Sequence, residues 1–273
     1  MASAFEVITE EFVDDMEAIR SLVVTFSDPQ KTLKARIAAA NSATLLVAAT
    51  FEEFVREMAR EFARTVVAHT KSFDKLPPSL ASTAWKRTMQ GLAKMRLEST
   101  QAGAGTENVF GAAQARFLVI YEFCKGDLTQ DIYRDLIHNE NNMRPNEVNG
   151  LFKVSGLNDV CQKLSEKQLM LDAFGETEPG KAHGKLLAGL EDFFERRNGI
   201  AHSLNPGQSS GPDQIINDMG MLENFSKALC ATLDAWVTTH SVAPVTDVTE
   251  APETAQAAAE VLPTPIEPPT ASI

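Results

Sequence analysis

The sequence is poor in the residue types that build β-sheets and disulfide-stapled folds. Of its 273 residues only two are Tyr, two are Trp and three are Cys, whereas 15 are Phe. Sandwiches and barrels usually need more Tyr, Trp and Thr, so a core of Leu, Ala, Val and Phe favours helices. Cys124, Cys161 and Cys230 follow no CxxC or metal-ligand spacing. Such usage is typical of a reduced, cytosolic protein and predicts a cytoplasmic location.

Several other features are missing, and each absence excludes a class of protein. The longest apolar stretch, residues 43–51, is interrupted by two threonines and is too short to cross a bilayer. The N-terminus is acidic and amphipathic, so we expect no signal peptide. No glycine-rich loop is followed by Lys-Ser/Thr, and His138 has no second His at helical spacing. We therefore predict neither a nucleotide cofactor nor a metal site, with His138 a polar surface residue.

The charge balance argues against general nucleic-acid binding. The formal net charge is -12, and five of the acidic residues lie after His240, where there is no Lys or Arg. Residues 1–240 therefore carry -7. Such a surface repels phosphate backbones on average, although a local basic site remains compatible with it.

Composition changes sharply at residue 241 and predicts two regions. Residues 241–273 contain six prolines and no aromatic residue, so they cannot bury enough surface to offset the entropy of ordering. We expect a helical domain over residues 1–240 and a disordered tail over 241–273. A short partner-binding motif within the tail is the alternative.

Apolar residues recur every three or four positions along the first 240 residues, which indicates amphipathic helices. Asp28 is expected to cap the second helix, with Pro29 at its first position. That helix would run on the order of 50 Å. Residues 98–111 contain three glycines and predict a loop, and no alternating run predicts a sheet. The helices are predicted over residues 5–23, 33–66, 80–97, 112–124, 127–138, 146–151, 158–174, 181–202 and 212–240.

The most unusual segment is residues 186–202, LLAGLEDFFERRNGIAH. Its apolar stripe runs through Leu190 and Phe193 to Ile200, and Arg197 falls in the same stripe. A buried guanidinium cannot lose its proton, so it requires a partner or an anionic ligand. Asn198 and His202 are four residues apart and share a neighbouring face. Arg grips phosphate oxygens in a fork and His transfers protons near neutral pH, so the segment predicts phosphate chemistry.

The run Arg197-Asn198-x-x-x-His202 resembles the Arg-x(4–6)-His signature of HEPN domains, and the segment 51–55, FEEFV, resembles a stretch of the RiboL-PSP-like branch. With the helical order, the resemblance covers roughly residues 5–240. It implies an all-α HEPN-like bundle with a long central helix that forms a homodimer, with both signatures in one cleft. It also implies a metal-independent endoribonuclease of a toxin or antiviral defence system, with RNA as substrate and an antitoxin or defence-system protein as possible partner.

The residues leave alternatives open. Arg197 and His202 could instead be cations that stabilise the C-terminal end of a helix. Arg196 also fits the signature spacing, but it lies about 100° away, on the more polar side, which favours Arg197. Glu52 is either a solvated flank residue or a partner that orients Arg197. The alternative function is a non-catalytic dimerisation or adaptor module of the same fold.

Overall fold

A computed structural model describes residues 2–26, 28–95, 106–138, 141–202 and 210–240, with the side chains of residues 106–109 and 202 excepted. The predicted tail, 241–273, lies outside the described residues. So do residues 98–105 of the predicted glycine-rich loop and Pro206, which was expected to follow the end of the signature helix.

The described residues contain ten α-helices and no strand, so the prediction of an all-α fold is confirmed. A 3-10 turn, Phe73–Lys75, separates the second and third helices. The helices are α1 Ala4–Phe26, α2 Leu33–Thr70, α3 Pro78–Ala93, α4 Thr106–Cys124, α5 Tyr133–Leu136, α6 Pro145–Val154, α7 Val160–Ser165, α8 Gln168–Phe174, α9 Pro179–His202 and α10 Pro212–His240.

Helix α2 is the spine of the bundle. At 1.5 Å per residue its 38 residues extend about 57 Å. It begins at Leu33 because Thr32 Oγ1 accepts a hydrogen bond from Ala35 N at 3.3 Å. The prediction that Asp28 would cap this helix is wrong: Asp28 Oδ1 accepts from Gln30 N at 2.9 Å and closes a turn instead. At its other end α2 stops where Lys71 adopts a left-handed conformation with φ 56°.

Helices α1, α9 and α10 surround the middle of α2, and phenylalanine rings join them. The fully buried Phe51 ring lies 6.3 Å from Phe194 of α9 and 5.2 Å from Phe225 of α10, between ring centroids. Phe12 of α1 approaches the same point, with 4.4 Å between its centroid and that of Phe54. These contacts fix α9 against α2 at the level of Glu52, the residue after Phe51.

The remaining helices pack around this centre in two groups. Helices α7 and α8 lie against α9 and α10, and α6 packs against α2 and α7. Helices α3 and α4 pair with each other, and α3 also contacts α5. The start and end of α10 match the sequence prediction, but α5 is far shorter than the helix predicted over 127–138. Asp127 Oδ1 accepts from both the backbone N and the hydroxyl of Thr129, which forms a turn there instead.

Several other boundaries also differ from prediction. The helix predicted over 158–174 is divided into α7 and α8, because Lys167 is extended with φ -76° and ψ 137°. Helix α4 begins at Thr106, so part of the predicted loop is helical. Helix α3 begins at Pro78 because proline suits the first helical turn, where its missing N–H is not needed.

Candidate active site

The signature segment forms the C-terminal end of α9, where its apolar stripe faces the core. Leu190, Phe193 and Ile200 are buried, as expected for that stripe. Arg197 lies in the same stripe and is half-buried. Its Nε is buried and has no hydrogen-bond partner, which is also true of the Nε of Arg196. A guanidinium with an unused donor inside the bundle is an incomplete binding group for an anion.

Asn198 connects this arginine to a neighbouring segment. Its Oδ1 accepts one hydrogen bond from Arg197 Nη1 at 3.3 Å and a second from Asn142 Nδ2 at 2.8 Å. Asn142 lies in the connection between α5 and α6, and sequence reasoning missed it because nothing in its local pattern marks a contact so distant along the chain. The two bonds fix the Asn198 amide with its oxygen towards Arg197.

Arg144 attaches the same connection to α9. Its Nη1 lies 2.5 Å from Glu191 Oε2 and its Nη2 lies 3.0 Å from Glu195 Oε2. These pairs are partly exposed, and pairs of that kind contribute little to stability, about 0–1 kcal/mol each. Their effect is positional, since they hold the connection bearing Asn142 against the turns of α9 that precede Arg197.

Glu52 approaches the site from α2. Its Oε1 is buried and has no hydrogen-bond partner. Burial raises the pKa of Glu52 above its ordinary value, and the positive charges of Arg197 and then Arg56 only partly offset this effect. The charge of Arg197 on α9 therefore acts on the Glu52 carboxyl of α2. The Glu52 side chain is half-buried, and its role as a partner that orients Arg197 stays a prediction.

Arg196 has a different environment from its neighbour. Its Nη2 donates to both carboxylate oxygens of Asp218 at 2.7 Å, and Gln214 Nε2 donates to the same carboxylate at 2.9 Å. Arg196 was expected on the more polar side of α9, but it instead packs against α10. Burial raises the pKa of Asp218, and the hydrogen bonds from Arg196 and Gln214 work in the opposite direction. Asp218 was missed, although its place among the buried residues Ile215, Met219 and Leu222 is a detectable signal.

His202 is the last described residue of α9, one helical turn beyond Asn198, and its side chain is outside the described part. Of the other histidines, His138 is exposed, as predicted for a surface residue. His69 Nδ1 lies 2.8 Å from the carbonyl oxygen of Thr65, and its ring lies near Trp236, which is a structural position. Within the described residues, no three His, Cys, Asp or Glu side chains form a group able to hold a metal ion.

Taken together, α2, α9 and the α5–α6 connection bring Glu52, Arg197, Asn198 and Asn142 to one place. The group offers a cation with unused hydrogen-bond donors and an oriented amide. It also offers a carboxyl group, and burial opposes the ionisation of that group. Such a set can bind a phosphate oxygen through the guanidinium and orient the side chains around it.

The described residues thus form an all-α bundle in which residues 197–202 lie at the end of the penultimate helix, α9. The RiboL-PSP-HEPN family model matches residues 10–237, and the chain belongs to that family. No curated protein and no solved structure gives a significant match. In the described part of the chain, no helix has both the length and the apolar character needed to span a membrane.

Proposed function

We propose that this chain is a metal-independent endoribonuclease whose site is built from Arg197, Asn198 and His202. The observation that carries the proposal is the contrast between two adjacent arginines. Arg196 donates to both carboxylate oxygens of Asp218, whereas the hydrogen bond that Arg197 makes within the described residues goes to the neutral amide oxygen of Asn198 at 3.3 Å. A guanidinium bonded only to a neutral amide keeps donors for an anion, and hydrogen bonds between two charged groups are the stronger kind. A phosphate oxygen of RNA is the ligand that this fork fits.

The reaction we propose is attack of a ribose 2′-hydroxyl on the adjacent phosphorus. A neutral imidazole takes the proton from the 2′-hydroxyl, and the resulting oxygen forms a bond to phosphorus. The bond from phosphorus to the 5′-oxygen breaks, and that oxygen takes a proton from an imidazolium. The products are a 2′,3′-cyclic phosphate and a 5′-hydroxyl. Arg197 would stabilise the extra negative charge on the phosphorane oxygens.

This chemistry requires a base, an acid and a cation, but each chain supplies one signature His. Two chains related by a two-fold axis supply two of His202 and two of Arg197, which is sufficient for every role. We therefore propose a homodimer whose cleft contains both signature helices. Light scattering at micromolar concentration should give the dimer mass, and an active monomer would contradict the composite site.

The polar residues around the signature have supporting roles in this proposal. Glu52 attracts the guanidinium of Arg197 from α2, and Asn142 orients the amide of Asn198. Neither needs to touch the reacting atoms. Arg196 is assigned a structural role through Asp218 rather than a place in the reaction.

We further propose a cytoplasmic defence or toxin-type effector. The absence of any closely spaced cysteine pair supports that location. An antitoxin or defence-system protein would be the controlling partner. The net charge of -7 on residues 1–240 disfavours backbone-driven binding, so we expect selective cleavage rather than general degradation.

The direct test is incubation of the purified protein with total cellular RNA in the presence of EDTA. We expect discrete products that carry 2′,3′-cyclic phosphate ends. An activity abolished by the chelator would replace this mechanism with a metal-dependent one. If the protein forms a stable dimer and cleaves no RNA, it is a non-catalytic dimerisation or adaptor module of the same fold.

A further inference from the structure

The α3–α4 pair exposes aromatic side chains that the proposed reaction does not use. Trp85 of α3 and Phe110, Phe117 and Tyr121 of α4 are between 38% and 54% exposed. We call these four residues the aromatic surface. The other large hydrophobic residues that the described chain exposes are all Val or Leu, so exposed rings are concentrated here.

The rings form a row rather than a scattered set. Phe110, Phe117 and Tyr121 are spaced by seven and four residues, so they share one face of α4 over about 16 Å. The Phe117 and Tyr121 rings are stacked, with centroids 5.9 Å apart and planes at 19°. Trp85 meets Phe117 at 6.4 Å from the neighbouring helix. Lys125 Nζ lies 5.3 Å from the centroid of Tyr121 and is paired with Glu122 Oε2 at 3.2 Å.

Little of the part of the chain that the structure describes covers this row. Among the described helices, α4 makes its substantial packing contacts with α3 alone. A contiguous exposed apolar patch is unfavourable in water, and in a monomeric protein such patches usually mark a binding site. An aromatic row that stays exposed therefore indicates a ligand, and the kind of ligand depends on the surrounding charge.

The charge around the aromatic surface has the opposite sign to that of the whole chain. The described residues 78–93 and 110–125 contain four Lys or Arg and one Glu, in a chain with net charge -12. Two of the four cations have carboxylate partners, Arg116 with Asp135 and Lys125 with Glu122. Helix α3 has no acidic residue, and neither do residues 110–121 of α4. Lys86, next to Trp85, is exposed. The exposed rings of this acidic molecule thus lie in a basic segment. Such a surface suits a polyanion that also contains planar aromatic groups.

We propose that the aromatic surface binds single-stranded RNA, with nucleobases stacked on Phe117, Tyr121 and Trp85. This inference rests on the proposed function, because it takes RNA to be the ligand. Every base has a π-face, so stacking holds a single strand without reading its sequence. Nearby Lys side chains would hold the phosphates. Bases in a duplex are already stacked on each other, so the surface selects unpaired RNA.

Binding can be measured without cleavage. The full-length His202→Ala protein is titrated with a fluorescently labelled oligo(U) of about 12 nucleotides in EDTA, followed by anisotropy. Adding Phe117→Ala or Tyr121→Ala should raise the Kd roughly 5- to 100-fold for each lost stacking platform. Leu169→Ala removes an exposed side chain from α8 and is the matched control. It should leave the Kd unchanged, and duplex RNA should compete poorly.

Two substitutions at one position separate stacking from simple hydrophobicity. Tyr121→Phe keeps the ring and should keep the affinity, whereas Tyr121→Leu keeps an apolar side chain and should lose it. Equal affinity for Tyr121→Leu and wild type overturns the proposal. Trp85 offers a direct readout, since Trp236→Phe leaves it as the sole tryptophan of the chain. Its emission should be quenched when the oligonucleotide binds, and unchanged emission at saturation also contradicts stacking.

Failure of this proposal is distinguishable from failure of the proposed function. The wild-type protein could bind RNA in a way that depends on Tyr121 and yet cleave none. That outcome would support the aromatic surface and contradict the proposed nuclease. If the protein cleaves RNA but Phe117→Ala and Tyr121→Ala leave the Kd for RNA unchanged, the proposed nuclease is supported and the aromatic surface is contradicted. If those two variants instead dissociate a dimer in sedimentation velocity without altering the Kd for RNA, the row contacts a second copy and the proposal is wrong.

Discussion

Arg196 donates from one nitrogen to both carboxylate oxygens of Asp218 at 2.7 Å, and this pair ties the end of α9 to α10. The Asp218 side chain is only 8% exposed. Because successive residues of a helix point about 100° apart, fixing Arg196 against α10 turns Arg197 towards α2 and Glu52. The arginine that stabilises the bundle and the arginine that we assign to the substrate are thus adjacent in sequence and separate in role.

The first prediction is that the two arginines affect different measurements. Arg196→Ala leaves the buried Asp218 carboxylate without its cation and should lower the free energy of unfolding by about 1–3 kcal/mol. The cleavage rate per folded molecule should change little. Arg197→Ala should shift the midpoint of denaturant unfolding less than Arg196→Ala does, because Arg197 makes no hydrogen bond to a carboxylate within the described residues, and it should reduce cleavage. Equal losses of activity in the two variants would show that the signature arginine is wrongly assigned.

Asn142 provides a second prediction, because it acts only through Asn198. Asn142→Ala removes one hydrogen bond, worth about 0.5–1.5 kcal/mol, and should lower kcat roughly 2- to 12-fold with little change in KM. Asn141 is the exposed neighbour in the same connection, and Asn141→Ala is the matched control. An unchanged kcat in the Asn142 variant would mean that the amide of Asn198 needs no orientation.

Glu52 gives a prediction for the dependence of stability on pH. Burial raises the pKa of Glu52 in the folded protein above its ordinary value of 4.5. As pH rises above 4.5, Glu52 loses its proton in the unfolded chain before it does so in the folded protein. The free energy of unfolding therefore falls until the folded carboxyl has also ionised. Glu52→Gln should therefore be more stable than wild type near neutral pH, and the difference should disappear near pH 4.

The same variant should lose activity while it gains stability. Removing the charge that attracts Arg197 should lower cleavage roughly tenfold or more, because a misplaced catalytic group is costly. Thermal unfolding from about pH 4 to pH 7.5 and single-turnover cleavage measure the two effects. A Gln variant that is less stable than wild type at neutral pH would show that attraction to Arg197 outweighs the burial of Glu52.

Much of the fold was predictable because its helices are long and periodic. Both ends of α10 and the stripe of α9 follow from spacing alone, since one face of each must be buried. The structure of residues 127–138 was not predictable in this way. Asp127 closes a turn through Thr129 where composition suggested a helix. Polar turns compete with helices through side-chain hydrogen bonds that periodicity does not register.

The candidate site was predictable only in part, for a physical reason. Arg197, Asn198 and His202 share one helix, so their proximity follows from helical spacing. Asn142 and Asp218 reach the site through tertiary packing, and their partners are 56 and 22 residues away along the chain. Local pattern contains no information on such contacts, although an Asp among buried residues of α10 does signal that a cation lies opposite.

The composition of residues 241–273 carries a further prediction. With no aromatic residue and six prolines, this segment lacks the means to form a core. A protein truncated after His240 should keep its folding and its cleavage activity. A fall in Tm of more than about 4 °C would correspond to roughly 1 kcal/mol of lost interaction and would contradict this expectation.

The most direct test of the central claim is the single-turnover cleavage rate of His202→Ala and Arg197→Ala in EDTA, with Arg196→Ala as control. Loss of the proton-transfer group should lower the rate about 10²–10⁴-fold, and loss of the phosphate fork about 10²–10³-fold, each with native circular dichroism. Arg197→Lys should recover only part of the loss, because an ammonium cannot form the fork. Full activity of His202→Ala would contradict the account.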